Sequence, residues 1–85
     1  MTDLQTYAQR LNIPVGKIMS RSRKPELTTA RQVYWYHLHR HGYGNSQIGR
    51  IFNRNHATVQ FGIRQIQNLM DIQDSYINRF LEAVK

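Results

Sequence analysis

Cysteine is absent from this chain, so neither disulfides nor thiolate metal sites can contribute to its stability. Acidic residues are scarce: 5 Asp+Glu stand against 12 Lys+Arg, a formal charge of +7 with histidines neutral. No apolar run approaches the ~20 residues that a membrane span requires. The start, Met1-Thr2-Asp3-Leu4, leads into mixed polar residues and not into the apolar core of a secretory signal, so a cytoplasmic protein is expected. Internal repeats and low-complexity tracts are missing. Proline occurs twice, at Pro14 and Pro25, and acts as punctuation. The 85 residues are expected to form a single domain spanning 1–85. A chain this short buries only about 60% of its extended surface, so its stability must come from helix packing or a partner.

What is present is positive charge, unevenly placed. From Leu4 to Met70 the cations are Arg10, Lys17, Arg21, Arg23, Lys24, Arg31, Arg40, Arg50, Arg54 and Arg64, and Glu26 is the sole acid. The tail carries Asp71, Asp74 and Glu82 against Arg79 and Lys85. An excess of this size points to a polyanion, most often nucleic acid. Arginine dominates it, and arginine suits planar recognition of phosphate and guanine better than lysine does.

The hydrophobic spacing is helical throughout, with no sustained period-two alternation. Thr2 reads as an N-cap for a helix with Leu4, Tyr7, Ala8 and Leu11 on one side. Pro14 fits the first turn of a short helix to Met19. Ser20-Arg21-Ser22-Arg23-Lys24-Pro25 has no apolar period and reads as an exposed basic loop. Thr28 or Thr29 is the expected cap of a helix that aligns Ala30, Val33, Tyr34, Leu38 and His41 and ends at Gly42 and Gly44. Within it Tyr34 is expected in the core, with Trp35 and Tyr36 at the edges of the bundle. Asn45 or Ser46 caps a helix carrying Ile48, Ile51 and Phe52. After a break at Asn53-Arg54-Asn55, a longer helix runs to about Met70. A last helix aligns Ile72, Tyr76, Phe80 and Val84. The fold class is all-α, a compact bundle of five or six helices.

A short helix, a tight break and a longer helix over Asn45 to Met70 is a helix-turn-helix arrangement. Gly49 lies inside the first of the pair, where glycine is disfavoured by about 1 kcal/mol; a missing side chain there permits close crossing. With Val59, Ile63 and Ile66 inward, a step of about 100° per residue turns Ala57, Gln60, Phe61, Arg64 and Asn68 outward. Asn55 and His56 sit at the exposed N-terminus, where backbone N–H groups can face phosphate. Asparagine pairs with adenine, arginine with guanine, and alanine touches a thymine methyl.

The string Ile48-Gly49-Arg50-Ile51-Phe52-Asn53-Arg54-Asn55-His56-Ala57-Thr58-Val59 resembles the signature of the C-terminal DNA-binding domain of the bacterial replication initiator DnaA, roughly I-G-x-x-F-x-R-D-H-T-T-V. Upstream, Ile18-Met19-Ser20-Arg21-Ser22-Arg23 and Ala30-Arg31-Gln32-Val33 are similar to that family's basic segment and following helix start. Downstream, Arg64-Gln65-Ile66 is similar to its arginine-lysine-isoleucine. The resemblance covers about residues 4 to 70 and implies a bundle of the Trp repressor-like kind that binds a short double-stranded DNA box. It implies a minor-groove role for Arg23, on the basic segment with Arg21. It places Arg31 and Gln32 at the backbone or neighbouring base edges, and Ser46, Arg54 and Thr58 on phosphates. Asn55, His56 and Ala57 would face the bases; Gln60 and Arg64, turned outward by the helical rotation, are expected to extend the same DNA-binding face. Replication initiation or its regulation is the implied process. Three positions depart from the pattern. Asn55 replaces an acid, and an amide can donate as well as accept, so the preferred base should change or the preference relax. Ala57 replaces a threonine and loses a hydroxyl. Phe61 stands where the family is more polar.

No G-x-x-x-x-G-K-[ST] phosphate loop occurs, so the resemblance reaches a DNA-binding module and not an ATP-driven initiator. His37 and His41 are four apart, but a third ligand is missing nearby, and no metal or other cofactor is expected. No nucleophile–base–orienter set appears, so catalysis is not expected. Three other readings share the scaffold: a small transcriptional regulator, a protein-interaction adaptor with Trp35 or Phe61 as hydrophobic anchor, and RNA binding.

Overall fold

The computed structural model describes all 85 residues, Met1–Lys85. The protein is all-α: α1 (Leu4–Leu11), α2 (Val15–Met19), α3 (Pro25–Arg40), α4 (Asn45–Phe52), α5 (His56–Asp71), a 3-10 turn (Ser75–Ile77) and α6 (Asn78–Ala83). The two longest helices, α3 and α5, form the main packing pair, with α4 across α5 and α6 against α1.

Local chemistry explains most boundaries. Asp3, one residue after the expected Thr2, caps α1 by accepting from the Thr6 N–H at 2.7 Å. Thr2 instead donates its hydroxyl to the Lys85 carbonyl at 3.1 Å. Asn12 closes α1 in the left-handed conformation, φ 58°, and the Ile13 N–H returns to the Ala8 carbonyl. Asparagine tolerates that region because its short amide bonds locally. Pro14 stands just before α2, outside the first turn that the sequence suggested. Helix α3 begins at Pro25, three residues before Thr28, because proline at the first helical position supplies a helical φ and lacks only an N–H that would be unpaired there. Gly44, not Asn45 or Ser46, precedes α4, and its N–H donates to Gln47 Oε1 at 2.8 Å.

The core is one cluster. Tyr7 donates its hydroxyl to the Ala30 carbonyl at 2.7 Å and packs on Tyr34 with ring centroids 5.2 Å apart. Trp35 is 3% exposed and meets Phe52 edge-on at 5.9 Å, so it lies in the core and not at an edge. Gly62 makes that possible: a Cβ there would lie 2.7 Å from Trp35 Cε3. His41, expected inward, is exposed, whereas His37 is buried beside Tyr34.

The tail also departs from its expected stripe. Ile72 and Tyr76 are exposed and Val84 is half-buried; Phe80 is buried as expected, joined by Ile77 and Ala83. Gln73 at φ 55° breaks the helical phase, and Asp74 restarts it by accepting from the Tyr76 N–H at 2.8 Å. Arg10 then holds α6 against α1, donating to the Ala83 carbonyl at 3.1 Å.

Candidate nucleic-acid interface

The turn of the helix-turn-helix is built around Gly49. Asn53 ends α4 at φ 55°, which lets the Arg54 N–H reach back to the Gly49 carbonyl at 2.7 Å. A Cβ on Gly49 would collide with the Arg54 carbonyl oxygen. The close approach is therefore by the turn itself, not by the body of the second helix. Asn55 follows as the cap of α5, its Oδ1 accepting from the Ala57 N–H at 2.7 Å. The expected base-reading amide is thus also a structural cap, with its Nδ2 side still free to donate.

Helix α5 buries Val59, Gly62, Ile63 and Ile66. Ala57, Gln60, Phe61, Arg64 and Asn68 are exposed, the outward face expected from their spacing, and His56 and Thr58 are exposed at the start of the helix. Beside this helix lies a cleft of about 480 Å³. The basic loop and α3 contribute Arg21, Arg23, Arg31 and Gln32 to one wall; Arg54, Asn55, Thr58 and Phe61 form the other. On the opposite flank a smaller niche brings His39 and Asn45 against Gln60, Arg64 and Gln67. The place of His39 was not legible in the sequence, because α3 has no clean polar period near its end. Ser46 is exposed in the first turn of α4, away from the cap itself.

Two arginines carry structural roles that the resemblance did not imply. Arg31 is only 6% exposed; its Nε donates to the Ile18 carbonyl at 2.8 Å and its Nη2 to the Ser22 carbonyl at 3.3 Å. It tethers the loop from beneath instead of standing free at a backbone or base edge. Arg54 donates to the Phe52 carbonyl at 2.7 Å and the Ser20 carbonyl at 2.6 Å, so these donors already have protein acceptors. Arg21 completes an exchange, donating to the Asn53 carbonyl at 3.2 Å. Burial, then the neighbouring Arg54, lowers the Arg31 pKa; burial, then Arg21, lowers that of Arg54. Both remain cations, since guanidinium does not deprotonate in proteins. No acid lines the cleft, and Glu26 is engaged outside it by Arg79 at 3.0 Å. Arg23 is exposed, with no hydrogen-bond partner in the protein, on a loop that three other arginines fix in place.

His37 and His41 rings lie 4.6 Å apart, but His37 is buried beside Tyr34 and close to Thr2, while His39 lines the α5 niche. Trp35, buried in the core, is unavailable as an anchor for a protein partner; of that expected pair only Phe61 is exposed. No helix is long and apolar enough to cross a membrane.

Fold and surface together define a helix-turn-helix protein with a basic arm beside its second helix. The chain belongs to the bacterial DnaA helix-turn-helix family, whose model, described as "Bacterial dnaA protein helix-turn-helix", matches residues 4–66. It is 34% identical over 73 residues to the chromosomal replication initiator protein DnaA of Mycoplasma pneumoniae, covering 85% of this chain and 17% of that protein. The DnaA of Mycoplasma genitalium is 29% identical over 73 residues with the same coverage. That of Porphyromonas gingivalis is 32% identical over 74 residues, covering 85% of this chain and 16% of the relative. The chain thus spans about one-sixth of the length of these relatives. No solved structure matches at comparable significance.

Proposed function

We propose that residues 1–85 act as one module that binds double-stranded DNA with sequence preference. The N-terminal part of α5 enters the major groove, where Asn55, His56, Ala57, Gln60 and Arg64 meet base edges. Arg23 reaches the adjacent minor groove, and Arg21, Gln32, Ser46 and Thr58 meet the phosphate backbone on either side. Arg31 and Arg54 hold the arm at the distance that lets both grooves be engaged together. The observation that carries this reading is the arginine-lined, acid-free cleft directly beside the exposed leading turns of α5.

Affinity comes mostly from neutralising phosphates, and selectivity from α5 and Arg23. Likeness to proteins named as replication initiators supports a role in starting replication or regulating that start, on the bacterial chromosome in the cytoplasm. Groove and phosphate binding of this kind requires no cofactor and no catalytic group. Selection from a mixed pool of duplex, single-stranded DNA and RNA tests the reading. Enrichment of a duplex motif supports it; enrichment of RNA or single strands, or of nothing, contradicts it.

A further inference from the structure

The leading turns of α5 carry an apolar strip that the polar contacts above leave idle. Phe61 is 65% exposed, and Ala57 lies one turn before it on the same side. With Val59, Gly62, Ile63 and Ile66 inward, the direction pointing straight away from the core falls close to Ala57 and within about 30° of Phe61. The ring therefore stands on the same outward face as Arg64 and at the mouth of the cleft with Arg21, Arg23 and Thr58.

Of the residues lining the cleft only Trp35 and Phe61 are apolar, and Trp35 is buried, so the ring has no exposed apolar neighbour there with which to build the core of a protein interface. Nor can the ring hold a phosphate, having no donor. In the major groove the one apolar group on a base edge is the C5-methyl of thymine, which alanine and phenylalanine both contact favourably. We propose that Phe61, with Ala57, reads thymine C5-methyl groups, and that Phe61 is a specificity-determining residue of this protein. The inference rests on the duplex-binding reading above. Four residues of helix rise by about 6 Å, and base pairs by about 3.4 Å. The two side chains therefore meet positions about two base steps apart.

The test uses the duplex selected by the unsubstituted protein, with each thymine replaced in turn by deoxyuridine, which removes the methyl and nothing else. One or two positions should each lose about fourfold in affinity, the equivalent of one methyl group leaving an apolar contact. For Phe61→Ala the penalty at one of those positions should vanish, with no change in melting temperature because the ring is exposed. Phe61→Leu should keep part of it. Parent protein indifferent to every deoxyuridine overturns the inference. So does a Phe61→Ala protein with the parent's affinity and thymine dependence, which would leave the ring to a protein partner. Absence of duplex binding by the parent would instead overturn the proposed function, and this inference with it.

Discussion

Arg54 and Ser20 meet at 2.6 Å, guanidinium nitrogen to carbonyl oxygen, across thirty-four residues of sequence. Arg21, next to Ser20, returns a hydrogen bond to the carbonyl of Asn53, next to Arg54. This exchange joins the basic arm to the turn that aims α5, so the two elements of the proposed DNA interface are set as one unit before any ligand arrives. Pre-setting both removes ordering entropy that binding would otherwise have to overcome.

Arg54→Ala should therefore act on the arm as well as on the turn. Charge-assisted hydrogen bonds contribute about 1.5–3 kcal/mol each, so stability should fall by roughly that amount in a urea titration. Amide exchange over residues 20–24 should speed up, and duplex affinity should drop by tenfold or more. Weaker binding with unchanged exchange in the arm would make Arg54 a phosphate ligand only.

Arg23→Ala should leave the melting temperature in place, because the side chain has no partner within the protein. Affinity should fall, and sequence preference should relax at one edge of the selected site. An unchanged selected sequence at full affinity would remove Arg23 from the minor groove.

The glycines separate cleanly. Gly49→Ala puts a methyl against the Arg54 carbonyl, and Gly62→Ala puts one against the Trp35 ring. Overpacking of this kind destabilises by about 1–3 kcal/mol, with Gly49 the worse because backbone cannot move aside. Gly16 has nothing within 4 Å of an added Cβ. Gly16→Ala in α2 should be neutral or stabilising by up to about 1 kcal/mol. Thermal melts of the three variants check the order.

Stability should also depend on pH through His37. Burial foremost, then His41 and the N-terminal ammonium, hold its imidazole below the ordinary 6.5, against an opposing pull from the Thr2 carbonyl. The unfolded chain then takes up the proton first. The contribution is complete above pH 6.5 and is lost as pH falls through that value toward the lower folded pKa. Urea midpoints should decline from about pH 7 to pH 5, and His37→Leu should flatten that part of the profile.

The outward face of α5 was legible in the sequence because a long helix with one buried side fixes every other position by rotation alone. Ala57, Gln60, Phe61, Arg64 and Asn68 all follow from Val59, Ile63 and Ile66. The tethering roles of Arg31 and Arg54 were not legible. Their acceptors are main-chain carbonyls at Ile18, Ser20 and Ser22, which carry no side-chain signature and become neighbours only when α2, α3 and the turn pack. The tail misled for a different reason: a regular four-residue stripe from Ile72 to Val84 assumes one uninterrupted helix, and the left-handed Gln73 breaks it. The start of α3 was read from threonine caps, whereas Pro25 had already set the backbone.

Salt dependence of duplex affinity tests the central claim most directly. With about six phosphates neutralised, log affinity against log salt should fall with a slope near −5, and Arg21→Ala, which removes a cation from the phosphate backbone, should make it shallower by about one. Duplex binding absent at low salt, or present with no salt dependence, would contradict the account.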